Sequence, residues 1–174
     1  MDSINKNQPE ENHQNLSTEA AITKIEELVK IAKTCFFCTQ ASSNYSGGVR
    51  PMSIQKVDKT GILWFLSAND SFKNREIKND SKVKLYFQGS AHSDFLFLEG
   101  VATIAEDPTI IKQLWEPLLK VWFTEGENDP RISAIKVEPL SGYYWDNKHG
   151  DTVAGIKMLI GASIGKTLDD SVEG

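Results

Sequence analysis

The chain has 174 residues, 40% hydrophobic and 25% charged, with four Trp; this is the composition of one globular domain and excludes collagen-like, mucin-like and wholly disordered classes. Nineteen Lys and Arg against 24 Asp and Glu give a formal net charge of -5, which excludes a surface built to wrap nucleic acid or anionic lipid. Any anion bound here must be held by a local cluster.

Residues 1–16 are rich in Asn, Gln and Glu and lack periodicity, so a flexible tail is expected there. No run of about 18 apolar residues occurs anywhere, and the start is not basic then apolar, so the expectation is a cytoplasmic protein with no membrane partner. From Ser17 the residues Ile22, Ile25, Leu28, Val29 and Ala32 recur at helical spacing, with Ser17 or Thr18 as N-cap. Six strand-like segments follow, over 35–41, 49–57, 62–67, 82–87, 95–105 and 135–145, each rich in β-branched and aromatic residues and separated by turn compositions. The short connections imply antiparallel pairing, and so many strands with so few helices favour a small barrel. Gly100 marks a bulge or bend in the longest strand.

Cys35 and Cys38 are the only cysteines. Three apart on a strand, they point to opposite faces, so they read as structural thiols and neither a dithiol nor a metal site is expected. A helix over 71–79 follows Ala68-Asn69-Asp70, with Asn69, Asp70 and Ser71 as cap candidates. A second, over 108–121, starts with Pro108 at N1 and is kinked or divided by Pro117. Its stripe of Ile111, Leu114, Trp115, Leu118, Leu119 and Trp122 reads as core packing or as a dimer face. Residues 146–151 read as a loop, the apolar run Val153 to Ile164 as a helix despite its glycines, and 166–174 as a flexible tail. Residues 17–165 then form one domain.

The chemistry concentrates in two segments. At the start of the helix over 71–79, free first-turn amides and the helix dipole can receive a phosphate, with Ser67 and Ser71 as hydroxyl donors and Lys73 as a cation. The alternative is a plain cap with a solvated lysine. In Arg50-Pro51-Met52-Ser53-Ile54-Gln55, the arginine can clamp a phosphate with its planar fork, and the strand backbone can face a planar polar ring. Pro51 removes one ladder donor and suits an edge; the alternative is an edge strand with an exposed arginine.

Together Arg50-Pro51-Met52-Ser53, Leu63-Trp64-Phe65, Asp70-Ser71-Phe72-Lys73, Leu114-Trp115-Glu116-Pro117, Trp122-Phe123, Asp129-Pro130 and Tyr144-Trp145-Asp146 resemble the general stress protein branch of the pyridoxamine 5'-phosphate oxidase-like flavoproteins, over about residues 18–160. The resemblance implies a mainly β (α+β) fold, a six-stranded antiparallel split β-barrel with flanking helices, and FMN held at the interface of a homodimer. By that likeness Arg50 and Lys73 contact the flavin phosphate, Ser67 and Ser71 supply hydroxyls, and the backbone of Met52 to Gln55 lies along the isoalloxazine ring. Pro51 and Leu66 belong to the same set, and Trp122 and Trp145 form a wall near or across the interface.

It also implies an FMN-dependent oxidoreductase acting on a small-molecule substrate or electron donor, a reduced nicotinamide being one donor that would dock transiently over the flavin. No residue is nominated as acid or base. The other readings are a flavin-binding or sensing protein without turnover, and the same barrel holding a deazaflavin or haem. Where the true oxidases carry a lysine for the substrate phosphate this chain has Gln55, and their C-terminal arginine and histidine pair has no match after Trp145. Efficient oxidation of pyridoxamine phosphate is therefore not expected.

Overall fold

The structure is a computed structural model and describes residues 16, 18–40, 48–91, 94–146 and 152–157. Of the expected tail over 1–16 only Leu16 is described, and it packs against the barrel core rather than lying free; the rest of that tail, the tail over 166–174, Ser17, most of the loop over 146–151 and the run after Lys157 lie outside the described residues.

Alternation of apolar and polar residues writes the sheet. In β1 (Thr34–Thr39) the residues Cys35, Phe37 and Thr39 are buried while Thr34 and Phe36 are exposed, and β5 (Lys82–Gln88) alternates in the same way. The remaining strands are β2 (Val49–Ser53), β3 (Lys56–Val57), β4 (Leu63–Ala68), β6 (Phe95–Ala105), β7 (Ile132–Asp146) and β8 (Thr152–Lys157). All pair antiparallel, in the order β2-β1-β5-β6-β7-β4-β3 with β8 on β7. The split barrel is present, with eight strands rather than six.

Two local features account for the extra strands. The segment expected as one strand over 49–57 changes partners in its middle: Ile54 N–H donates to the Lys33 carbonyl at 3.1 Å, extending the β1–β2 pairing, and Gln55 N–H donates to the Trp64 carbonyl at 2.9 Å, starting the β3–β4 pairing. One continuous segment thus joins the two edges of the sheet and closes the barrel. The helix expected from Val153 is, over the described residues, strand β8, with Gly155 opposite Tyr143. An apolar run does not by itself distinguish strand from helix, and the pairing with β7 decides it.

The length of β7 produces the split. Its first part, Ile132 to Val137, pairs with β4, and its last part, Ser141 to Asp146, pairs with β8. Between them the register with β6 slips at Glu99/Gly100, leaving Leu140 as the extra residue. Gly100 is required there, because a Cβ would meet the Glu138 carbonyl oxygen at 2.5 Å.

Helix α1 (Thr18–Ala32) adds Ala21, Ile25, Leu28 and Val29 to the barrel core, where Phe37 and Phe65 meet edge to face with centroids 5.3 Å apart. A second core of Leu66, Ile111, Leu114, Phe123, Ile132 and Ala134 lies outside the barrel. The expected helix over 108–121 is divided as Pro117 requires, into α3 (Pro108–Leu114) and a 3-10 turn over Pro117–Val121. Ile111 and Leu114 are core, whereas Leu118 and Trp122 are exposed. Among the described residues no helix is long and apolar enough to cross a membrane.

Candidate functional site

Helix α2 (Phe72–Asn79) begins beside the end of β4. Its N-cap is Ser71, whose Oγ accepts from the Asn74 amide at 3.2 Å. Of the three cap candidates only Ser71 has this role. Asn69 instead ties the entry loop down, donating its amide to the Arg131 carbonyl at 2.7 Å and its Nδ2 to the Pro130 carbonyl at 3.0 Å. That explains Asp129-Pro130 in physical terms: the Asp129 carboxylate accepts the Arg131 amide and guanidinium, fixing the loop that receives Asn69.

Ser67, on the inward face of β4, brings the hydroxyls and the lysine together. Lys73 Nζ donates to Ser67 Oγ at 2.6 Å, and Ser67 Oγ lies 3.2 Å from Ser71 Oγ. Lys73 is only 7% exposed, and its pKa is lowered to about 8, chiefly by burial and then by the Arg50 charge, with Glu76 opposing both. Behind these groups Asn74, fully buried, donates to Ser133 Oγ at 2.7 Å, and Ser133 donates to the Ser67 carbonyl at 3.1 Å.

Arg50, opposite Phe37 in β2, reaches the same end of the barrel. Its Nη2 meets Glu76 Oε2 at 2.7 Å, and its Nη1 donates to Thr39 Oγ1 at 3.0 Å and the Gly48 carbonyl at 3.2 Å. Thr39 Oγ1 in turn donates to Glu76 Oε2 at 2.6 Å. Arg50, Ser67, Ser71 and Lys73 are legible in the sequence as candidate site residues, whereas Thr39, Asn74, Glu76 and Ser133 join them only in the structure. Glu76 had a signal, since it lies three residues after Lys73 on the same face of α2; Ser133 had none.

The other expected site residues lie elsewhere. Met52 and Ile54 pack against the barrel core, while Leu66 belongs to the second core. Ser53, Ile54 and Gln55 line a groove of about 680 Å³ whose opposite wall includes Leu118, Leu119 and Trp122. Gln55 Oε1 is buried there with no hydrogen-bond partner among the described residues. Pro51 and Trp145 line a different groove of about 480 Å³ on the outer face of the sheet. Thr34 borders both, and Arg50, Ser67, Ser71 and Lys73 line neither. The outer groove is floored by an aromatic row, Phe36, Tyr86, Phe97 and Tyr143, aligned across four strands with successive centroids 4.9 Å (Tyr86–Phe97) and 5.1 Å (Phe97–Tyr143) apart.

The family described as pyridoxamine 5'-phosphate oxidase like matches residues 20–169. The chain belongs to this pyridoxamine 5'-phosphate oxidase-like family. Among curated proteins it is similar to protein bli-3 of Neurospora crassa, 27% identical over 143 residues, covering 75% of this chain and 68% of that one. Among solved structures the oxidase-like fold is shared with a Clostridium acetobutylicum protein related to general stress protein 26, at TM-score 0.66 and 21% identity over 80% of this chain and 96% of that one. It is shared equally with the general stress FMN/FAD binding protein of Xanthomonas citri, at TM-score 0.64 and 21% identity over 77% and 93%. These structural likenesses show the fold that the sequence motifs lead one to expect.

Proposed function

We propose that this protein binds FMN between the two copies of a homodimer and acts as a flavin-dependent oxidoreductase on a small molecule. The observation that carries the reading is that Lys73, Ser67 and Ser71 meet at the start of α2 while Arg50, held by Glu76 of the same helix, lies close enough for its charge to act on Lys73, in an otherwise acidic protein. Two cations and two hydroxyls beside a helix N-terminus suit a phosphate monoester. The N3–H of an oxidised flavin ring also suits the groove at the barrel seam, where Gln55 Oε1 is a buried acceptor without a donor among the described residues. A structural neighbour described as FMN/FAD binding supports the same class of ligand.

When bound, FMN would supply the electron transfer, and the protein would supply binding, orientation and electrostatics. Arg50, Lys73 and the two hydroxyls would anchor the phosphate, and the backbone of Met52 to Gln55 would border the ring. The outer aromatic row supports the dimer: Phe36 is 58% exposed and Tyr143 47% exposed, and an apolar patch of this kind marks an interaction surface. Trp122 and Trp145 line separate grooves that adjoin at Thr34, so a second copy laid on this face would bring further walls to the same region.

The test compares FMN with riboflavin by calorimetry, then reduces the bound flavin with a reduced nicotinamide and reoxidises it with a defined acceptor. Binding of FMN far tighter than riboflavin, with turnover, is expected. Equal affinity would remove the phosphate site. Tight binding without reduction would leave a flavin carrier or sensor, and ligand released as a deazaflavin or haem would change the cofactor.

A further inference from the structure

One charged side chain at the phosphate cluster has no part in the reading above. Glu76 is nearly buried, and its Oε2 holds both Arg50 Nη2 at 2.7 Å and Thr39 Oγ1 at 2.6 Å. Arg50 has five N–H groups. Three are engaged by Glu76, Thr39 and Gly48, and among the described residues its Nε–H and second Nη2–H have no acceptor. A carboxylate on a guanidinium occupies the place that a phosphate oxygen would take.

We propose that Glu76 is the resident counter-anion of this cluster and determines how much negative charge the cluster accepts, a proposal that rests on the flavin-phosphate reading. With Lys73 protonated, Arg50, Lys73 and Glu76 sum to one positive charge. That balance suits the ligand-free protein, where the nearly buried Lys73 and the partly buried Arg50 would repel each other without an anion. It is less suited to a phosphate monoester, which brings close to two negative charges at neutral pH. Each is repelled by Glu76 across a partly buried site where water screens poorly. The diester phosphates of FAD carry one charge apiece, and riboflavin carries none. Glu76 therefore narrows the preference for FMN over these two while stabilising the empty site.

The test is Glu76→Gln, whose amide oxygen can still accept from Arg50 and Thr39 while the charge is gone. Dissociation constants for FMN, FAD and riboflavin are measured by flavin fluorescence, with the melting temperature of the ligand-free protein. The expected result is FMN binding tighter on the order of tenfold, a smaller gain for FAD, no change for riboflavin, and a lower melting temperature without ligand. The same substitution in a Lys73→Met background keeps the empty cluster at one positive charge and guards against a variant that fails to fold; there too FMN should tighten. Unchanged or weaker FMN binding, or an equal gain for all three flavins, overturns the proposal. A parent protein that prefers FMN while E76Q changes nothing removes this inference alone. A parent that binds FMN no better than riboflavin removes the phosphate reading and this inference with it.

Discussion

Lys73 Nζ lies 2.6 Å from Ser67 Oγ at the start of α2, nearly buried, with its pKa lowered to about 8 mainly by that burial. A phosphate arriving there favours the charged lysine and raises its pKa again. The sign follows: below about pH 8 the lysine is already protonated and binding takes up no proton, whereas above it each phosphate bound must draw one in. FMN affinity should therefore fall as pH rises through 8, by about tenfold between pH 7 and pH 9 relative to riboflavin. Ring ionisation is common to both ligands and cancels in the ratio. Titrations of both flavins at the two pH values check this, and a ratio independent of pH would separate Lys73 from the phosphate.

Arg50→Ala and Lys73→Ala should each weaken FMN binding by about 1.5–3 kcal/mol, the worth of a charge-assisted hydrogen bond. Their effects on the ligand-free protein should differ. Removing Arg50 takes the counter-charge from Glu76, which keeps only the Thr39 hydroxyl, and should cost about 1–3 kcal/mol of stability. Removing Lys73 relieves a buried cation and leaves Ser67 bonded to Ser71, so stability should stay level or rise. Urea unfolding of both apo variants makes the comparison; equal destabilisation would contradict it.

Asn74 is the structural hinge pin of the same cluster. Fully buried, it links the Ser71 cap to Ser133 on β7. Asn74→Ala removes both links and leaves a cavity, which should cost about 2–3 kcal/mol and loosen the cap that orients Ser71. Lower stability should be accompanied by weaker FMN binding with riboflavin unaffected. Wild-type stability in this variant would show that the Asn74 bonds contribute nothing.

Efficient oxidation of pyridoxamine phosphate is not expected. A substrate phosphate needs a cation separate from the flavin cluster, and the position that would supply it holds Gln55, an uncharged amide. Arg131, whose carbonyl accepts from Asn69 in the α2 entry loop, is engaged by the Asp129 carboxylate. Lys148 lies outside the described residues. An aerobic assay of the FMN-loaded protein for pyridoxal phosphate should show no turnover approaching about 1 per second, a rate ordinary for enzymes; such turnover would show that another group restores the charge.

The strands were legible where one face is buried, because alternation in Lys82 to Gln88 or Phe95 to Ala105 carries the fold directly. The barrel's closure was not, because Ile54 and Gln55 exchange partners without any Gly or Asn to mark the change. Strand β8 was misread because its apolar run carries no period that separates strand from helix. At the site, the cap and its lysine were visible as Ser71-Phe72-Lys73. The ion pair of Arg50 with Glu76 was not visible, since it joins residues 26 positions apart and depends on the barrel bringing β2 to α2. Contacts that depend on tertiary closure leave little local signal.

Whether FMN is held by its phosphate within a dimer is decided by native mass spectrometry of the purified protein after FMN addition. The predicted species contains two chains of 19.4 kDa and two FMN, and riboflavin at equal concentration gives little or no complex. A monomer, or a dimer that retains riboflavin as well as FMN, would contradict it.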